Sequence, residues 1–345
     1  MKRPVFSTFR TASSVILLFL CVLLAIARTR SPQATAAPQS TKANDQLAWQ
    51  TLAQSTGPSS GAAPETPVAW RLWATSQEIF GAAPLPPASV VFTSMRPLAC
   101  RQSVQNPNVA NPAAQCEIVF VNSVAANYIA KNGLTERGQV ITVATHGLTF
   151  PDQSIEIKTE WIPLIASQTN YMVGLNGSSR YGLVAFHLKA KVLPNSQWLW
   201  ATFIQKDKLP KGFQIQDAYG LKPDRSISTD LQTLLTNQGA SVLANYLLIG
   251  TQTNLAFGPN SLLGNPLIEG LTDPTLQHSS CVGCHNLASI SKVGTWWQPS
   301  VLATANPSRP SGQLGTDNDW GAAGKPLCQR PGNACLDGQT SSPLL

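Results

Sequence analysis

Alternation between apolar and polar residues is clearest in the middle of the chain. One side of this stretch carries Ile155, Ile157, Thr159 and Trp161, and the other side carries Glu156, Lys158 and Glu160. A period of two is typical of a β-strand, because successive side chains of a strand point to opposite faces. Strand-like runs follow at 171–175, 181–192 and 197–205, joined by short polar turns. The pattern predicts an antiparallel sheet meander.

The last of these runs is apolar on both sides. One side carries Trp198, Trp200 and Ile204, and the other carries Leu199, Ala201 and Phe203. A strand that is apolar on both faces avoids water only when both faces are covered. We therefore expect other elements to pack on each side of the sheet at this strand.

Helical periodicity occurs before and after the predicted sheet. The predicted helices are 44–54, 68–79, 118–131 and 240–248. Pro67 and Gly81 bracket the second of them, as expected for a helix start and a helix end. The stretch from 206 to 238 is predicted to consist mainly of loops. Helices flanking an antiparallel sheet predict the α+β class.

The N-terminal residues 1–36 have the pattern of an export signal. Lys2, Arg3 and Arg10 precede an uninterrupted apolar run at 14–27. This run is shorter than the ~20 residues that span a bilayer, and Ala34-Thr35-Ala36 offers a cleavage site. Including the preceding three residues lengthens the run towards a single-pass anchor. Both a signal peptide and an N-terminal membrane anchor therefore remain open.

Either alternative exports the rest of the chain, so we expect a protein in the periplasm or anchored in the membrane facing it. Residues 37–66 are rich in Pro, Ala and Ser and predict a tether. Residues 67–345 then form a single α+β domain, in which 278–298 is a C-terminal haem-binding helical or loop segment.

The net charge of +7 does not indicate nucleic-acid binding. Five basic residues lie in the first 36 residues, which contain no acidic residue, and 7 − 5 leaves +2 for the remainder. No basic run interleaved with aromatic residues remains to contact a phosphate backbone. Contact with a membrane is expected only through the possible N-terminal anchor.

The motif with the most specific chemistry is Cys281-Val282-Gly283-Cys284-His285. Cys-x-x-Cys-His is typical of covalent haem attachment. Two cysteines three residues apart on one nascent helical turn reach both vinyl groups of a porphyrin edge, and the following histidine supplies the proximal imidazole to iron. We therefore predict haem c bound through Cys281 and Cys284, with His285 as the proximal iron ligand.

Other interpretations of this motif fit less well. A thioredoxin-like redox pair requires a strand-to-helix context that the local sequence does not show. A zinc site needs a second cysteine pair, and the spacing of Cys328 and Cys335 is too wide for one. A disulfide within the motif is strained by its short loop. In an exported protein we expect Cys100 to pair with Cys116, and Cys328 with Cys335, as structural disulfides.

The second axial ligand of the iron is less evident. No methionine follows His285, so a downstream Met ligand is excluded. The remaining candidates are His187, Met172, Met95, His146 and His278. His187 lies on the side of its predicted strand that carries Lys189 and Lys191, so a solvent-facing side chain is the first interpretation. Among the distal candidates it ranks first, because the neighbouring strand is apolar on both sides and needs cover. An open or water-ligated iron is a further alternative.

The chain also resembles bacterial exported cytochrome c family proteins with one Cys-x-x-Cys-His near the C-terminus. The matching stretches are AWQTLAQ (48–54), TPVAWRLWATSQEIF (66–80), IEIKTEWIPL (155–164), YGLVAFHLKAK (181–191), WLWATF (198–203), LIGTQTN (248–254) and SSCVGCHNLA (279–288). The resemblance covers most of the chain after residue 45 and implies haem ligation at Cys281, Cys284 and His285. These proteins often have Glu-His after the WATF stretch, where this chain has Ile204-Gln205.

These observations predict a mono-haem c-type cytochrome that transfers electrons to or from a redox partner protein outside the cytoplasm. The alternative is a haem-dependent oxidoreductase or small-ligand sensor with an open distal site. A third possibility is a protein in which haem only stabilises the fold. No hydrolase, metalloprotease or phosphate-binding motif is present in the sequence, so an electron carrier is favoured over a catalyst.

Overall fold

An eight-stranded antiparallel sheet organises the part of the chain described by the computed structural model. The described residues are 41–57, 68–80, 98, 101–102, 116–165, 167–253, 263–269, 281, 289–291 and 313–315. The predicted leader (1–36) lies outside them, as does most of the predicted haem segment (278–298). Within the described ranges, none of the helices combines the length and the hydropathy needed to cross a bilayer.

The sheet confirms the predicted antiparallel arrangement. Its strands are β1 (Ala74–Thr75), β2 (Arg101–Gln102), β3 (Cys116–Val121), β4 (Ile155–Pro163), β5 (Val173–Asn176), β6 (Ser179–Leu193), β7 (Gln197–Gln205) and β8 (Tyr246–Thr253). The order is β1-β3-β4-β6-β7-β8, with β2 paired to β3 and β5 paired to β6. The short strands β9 (Ser289–Ser291) and β10 (Gln313–Gly315) form a separate pair. The predicted meander is wrong at β5: β4 pairs directly with β6, and β5 pairs with the opposite edge of β6 instead of lying between them.

Helices cover both faces of this sheet. The α-helices are α1 (Lys42–Thr56), α2 (Ser76–Phe80), α3 (Ser123–Lys131), α4 (Arg137–Thr145) and α5 (Thr229–Asn237). The 3-10 helices are Ala69–Leu72, Pro194–Ser196, Lys206–Lys208 and Ser241–Asn245. Together the helices and the antiparallel sheet give the α+β class that the sequence predicts.

One face of the sheet, here called the apolar face, packs against α1 and α5. Its side chains include Ile118, Phe120, Ile157, Trp161, Phe186, Leu188, Leu199, Phe203 and Leu248. Trp49 of α1 is buried and meets Phe203 edge-on, with 5.0 Å between ring centroids. Thr41 begins this helix by accepting a hydrogen bond from the Asn44 backbone N–H. The prediction of a tether over 37–66 is therefore wrong at α1, whose apolar side chains belong to the core.

The predicted helix at 68–79 is replaced by three short elements. The 3-10 helix ends at Leu72, and Ala74 and Thr75 pair with Val121 and Phe120 of β3. Thr75 and Glu78 then form a capping box that starts α2: Glu78 accepts from the Thr75 N–H at 2.7 Å, and Thr75 Oγ1 accepts from the Glu78 N–H. Pairing with β3 overrides the helical periodicity of this segment.

The predicted helix at 118–131 is correct only in its second half. Residues before Asn122 form β3, in which β-branched and aromatic side chains favour a strand. Asn122 begins α3, since its side chain accepts hydrogen bonds from the N–H groups of Ala125 and Ile155. The same side chain donates to the Gln153 carbonyl at 2.7 Å and so joins the start of α3 to the start of β4.

The region after β7 contains more regular structure than the sequence predicted. α5 lies inside the predicted loop region and begins at Ser228, whose hydroxyl accepts from the Leu231 N–H. The predicted helix at 240–248 is a 3-10 turn followed by β8, which pairs with β7. Every residue of β8 is buried, as expected for a strand covered on both faces, and such a short apolar run cannot be distinguished from a helix by its periodicity.

The other face of the sheet, here called the charged face, carries seven ionisable side chains. They are Glu117, Glu156, Lys158, Glu160, His187, Lys189 and Lys191. All except His187 are at least nine-tenths buried. α3 and α4 cover one end of this face and the segment 263–269 covers the other. Both faces of β7 are thus covered, as the sequence predicted.

Candidate functional site

The candidate site lies on one row of the charged face. Lys158 of β4 is opposite His187 of β6, which is opposite Thr202 of β7. Thr202 in turn is opposite Gly250 of β8. The antiparallel register thus places these four residues side by side across four strands, with His187 near the middle of the row.

The segment 263–269 crosses this row from β8 to β6. A Cβ atom on Gly250 would lie 3.2 Å from Leu263 Cδ1, so the missing side chain gives Leu263 its space. Asn265 is fixed to β7, since its Nδ2 donates to Thr202 Oγ1 at 3.0 Å and to the Phe203 carbonyl at 2.9 Å. Glu269 reaches β6, where its Oε1 lies 2.5 Å from His187 Nε2. Each contact joins the segment to a different strand.

His187 is held at one ring nitrogen and not at the other. Its side chain is 14% exposed, which corrects the first interpretation, a solvent-facing histidine. Nε2 contacts Glu269, while Nδ1 is buried and has no hydrogen-bond partner among the described residues. Buried polar atoms are paired in the great majority of cases, so Nδ1 is a nitrogen available to a further group.

Paired charges surround His187. Lys158 Nζ lies 3.0 Å from Glu117 Oε2, and Lys189 Nζ lies 3.0 Å from Glu156 Oε2. Burial works against the charge on Lys158, but the neighbouring carboxylates, Glu117 foremost, outweigh burial and raise its pKa above the ordinary value. The charged face is therefore a network of ion pairs in a water-poor environment.

The pKa of Glu269 is held below its ordinary value. Burial raises this pKa, but the charge of a protonated His187, its hydrogen bond, the hydrogen bond from Asn265 and the charge of Lys158 together lower it by more. Asn265 donates its hydrogen bond from the backbone N–H to Oε2. Glu269 is consequently an ionised acceptor that fixes the orientation of the His187 ring.

Aromatic side chains close one end of the charged face. Lys189 Nζ lies 4.3 Å from the ring centroid of Trp198, and Lys191 Nζ lies 5.4 Å from it. Trp198 also contacts Phe150 and Trp200. These rings form an apolar cluster with α3 and α4, and a second apolar cluster lies at the opposite end around Ile204, Ile249 and Leu263.

Cys281 lies between these two clusters. It is partly buried and packs against both of them. Its Sγ lies 3.5 Å from the carbonyl oxygen of Leu263. Trp200 of the first cluster and Ile204 of the second stand on either side of Thr202 along β7, so the row that contains His187 runs between the clusters. Cys281 and His187 are therefore on the same face of the sheet.

The other predicted ligands that the structure describes, Met172 and His146, are not on this face. Met172 is buried in the core of the apolar face, and its N–H donates to the Tyr246 hydroxyl at 2.9 Å. His146 ends α4 and is exposed. Cys284, His285, Met95 and His278 lie outside the described residues. Among the described histidines and methionines, His187 alone shares a face with Cys281.

The predicted disulfides are tested only at one cysteine. Cys116 of β3 is disulfide-bonded. Its predicted partner Cys100, and the predicted pair Cys328 and Cys335, lie outside the described residues. The pairing of Cys100 with Cys116 and the pairing of Cys328 with Cys335 both stay predictions.

Asn265 and Glu269 were not among the predicted site residues. They lie in a segment without apolar periodicity, and Glu269 is 82 residues from His187 in the chain. No local pattern marks such a contact. The only available signal was the doubly apolar β7, which requires a covering segment without specifying which one.

The surroundings of Cys281 fit the edge of a haem. A thioether-linked porphyrin needs apolar contacts and exclusion of water, and Cys281 packs against two apolar clusters. An imidazole nitrogen that has no hydrogen-bond partner among the described residues is present on the same face. Compared with protein-family models, with curated proteins and with solved structures, the chain gives no significant match to any of them.

Proposed function

We propose that this chain is a mono-haem c-type cytochrome that transfers electrons outside the cytoplasm, and that it belongs with the exported cytochrome c family proteins that it resembles. The observation that carries the proposal is the Cys-x-x-Cys-His run, whose first cysteine packs between two apolar clusters of the charged face. Such a run in an exported chain is specific for haem attachment.

Three residues hold the haem. Cys281 and Cys284 form the thioether bonds, and His285 ligates the iron from the proximal side. Bound haem supplies a one-electron redox couple. The chain contributes the apolar walls around Cys281, which exclude water, and His187 is its distal candidate. Haem enclosed in this way favours electron exchange with a redox partner protein over turnover of a substrate.

Two further observations support a position outside the cytoplasm. The first 36 residues have the charge and apolar pattern of an export signal or anchor. Cys116 is disulfide-bonded, and structural disulfides persist mainly in oxidising compartments. We place the folded part in the periplasm, free or anchored by its N-terminus.

The first test measures haem attachment. We expect the chain, produced with a c-type maturation system, to carry one covalent haem by mass spectrometry and by pyridine haemochrome. The variant Cys281→Ala/Cys284→Ala should lose the haem and keep the sheet by far-ultraviolet circular dichroism. Cys328→Ala/Cys335→Ala is the matched control, which removes two cysteines outside the motif and should retain the haem. A colourless wild-type protein with the mass of the bare polypeptide contradicts the proposal.

The second test separates electron transfer from the rival function. A haem-dependent oxidoreductase or small-ligand sensor with an open distal site should have a high-spin spectrum that changes with carbon monoxide. An electron carrier should be six-coordinate and low-spin, unaffected by carbon monoxide, and reversibly reduced in protein-film voltammetry. We expect the second set of results.

A further inference from the structure

The charged face contains one imidazole nitrogen that no described residue uses. His187 Nε2 lies 2.5 Å from Glu269 Oε1, and Nδ1 is buried without a hydrogen-bond partner in the described part of the chain. In the tautomer that donates Nε2–H to the carboxylate, Nδ1 carries the lone pair. A buried lone pair without a partner is unfavourable, so a group that binds it is favoured.

The arrangement around His187 is the one that metal-bound histidines usually have. A ligating imidazole almost always donates its other ring N–H to a carboxylate, a carbonyl or water, which sets its tautomer and ring orientation. Glu269 is such a carboxylate: its Oε1 lies 2.5 Å from His187 Nε2, within hydrogen-bond distance. The pair is thus prepared to present Nδ1 to a metal.

The position of Glu269 is itself fixed by the sheet. Asn265 is bonded through its side chain to Thr202 and to the Phe203 carbonyl of β7, and its backbone N–H donates to Glu269 Oε2. A continuous set of hydrogen bonds therefore runs from β7 through Asn265 and Glu269 to His187. The covering segment orients the imidazole more firmly than β6 alone would.

The face of the sheet selects among the possible iron ligands. Cys281 packs against the two clusters that border the His187 row, whereas Met172 lies in the core of the opposite face. His146 is exposed at the end of α4. Among the described histidine and methionine side chains, His187 is the one that lies on the face against which Cys281 packs.

We infer that His187 is the second axial ligand of the haem iron, through Nδ1, and that Glu269 is the positioning residue that holds it. The inference rests on the proposed function and names the sixth ligand of its haem. It makes the iron six-coordinate with two imidazoles, and it gives the segment 263–269 a role in setting the reduction potential, because a carboxylate that polarises the imidazole N–H favours ferric iron.

The decisive experiment compares two histidine variants of the haem-bearing protein. His187→Ala should convert the low-spin spectrum to a high-spin one that binds carbon monoxide, and added imidazole should restore the low-spin form. His146→Ala is the matched control, with the same change at an exposed histidine, and should leave the spectrum unchanged. Electron paramagnetic resonance of the wild type should show two-imidazole ligation, a measurement that needs no variant.

The role of Glu269 is tested by the potential. Glu269→Gln should keep the haem low-spin and shift the midpoint potential upward, since an amide polarises the imidazole less than a carboxylate does. Glu156→Gln removes another buried carboxylate of the same face, one that is paired with Lys189, and should shift the potential less. Equal shifts in the two variants overturn the positioning role of Glu269.

The outcomes distinguish this inference from the proposed function. Absence of covalent haem in the wild type overturns both. A haem-bearing wild type whose low-spin spectrum survives His187→Ala overturns the inference alone, and so does an electron paramagnetic resonance signal of histidine–methionine or histidine–lysine ligation.

Discussion

The two faces of the sheet are buried to a similar degree and built from different chemistry. On β4, Ile157 of the apolar face is 0% exposed, while Glu160 and Lys158 of the charged face are 1% and 5% exposed. The apolar face packs rings and aliphatic side chains against α1. The charged face holds ion pairs under α3, α4 and the segment 263–269. Burial alone therefore does not distinguish the structural face from the candidate site.

The two faces differ in how much their burial contributes to the free energy of unfolding. Burial of apolar surface stabilises by ~25 cal/mol per Å², whereas a buried ion pair is often no more stabilising than apolar residues of the same volume. The ion pairs of the charged face are therefore not expected to stabilise the fold more than apolar side chains of the same volume would. On this face lie Cys281 and His187, the two described residues that we assign to the haem.

The largest loss of stability is expected when the packing of α1 on the apolar face is disrupted. Trp49→Ala deletes the ring that packs on Phe203 and the indole N–H that donates to Asp217 at 3.1 Å. We expect a loss of about 4 kcal/mol in the free energy of unfolding, from the cavity and the lost contacts. Urea unfolding measures it. A loss below ~1 kcal/mol would show that α1 is a dispensable tether after all.

A somewhat smaller loss of stability is expected when one partner of a buried ion pair on the charged face is removed. Lys158→Met leaves Glu117 buried without its ion-pair partner, and we expect a loss of about 3 kcal/mol in the free energy of unfolding. The double variant Lys158→Met/Glu117→Leu should recover most of that loss, because an apolar pair replaces the ionic one. If the double variant is as unstable as the single one, an apolar pair cannot replace the buried ion pair, which contradicts the difference described between the two faces.

The smallest of these losses of stability is expected when the hydrogen bonds of the Tyr246 hydroxyl, which lie inside the apolar face, are removed. The Tyr246 hydroxyl accepts from the Met172 N–H and donates to the Leu183 carbonyl at 3.0 Å. Tyr246→Phe leaves both backbone groups buried without this partner, and we expect a cost of about 2 kcal/mol in urea unfolding. Phe186→Leu, a change of size without a lost hydrogen bond, is the control for packing at the neighbouring ring. An unchanged Tyr246→Phe protein would show that the two backbone groups find other partners.

The strongly periodic strands were predictable and their neighbours were not. β4, β6 and β7 follow from alternation and turn residues, and the two-sided cover of β7 follows from its composition. Most of β3 and the first three residues of β8 lie within the predicted helices 118–131 and 240–248, because a short apolar run fits either period and strand pairing decides between them. α1 was predicted within a tether, because a single short patch gives no sign of the core that receives it.

The sequence by itself predicted the chemistry that depends on local spacing. Two cysteines and a histidine within five residues form a run that is typical of haem attachment, because such a spacing is local and does not depend on the rest of the fold. The environment of His187 was decided by the tertiary structure alone. Its burial, its contact with Glu269 and its face relative to Cys281 arise from strand register and from a covering segment far away in the chain, and neither leaves a local pattern.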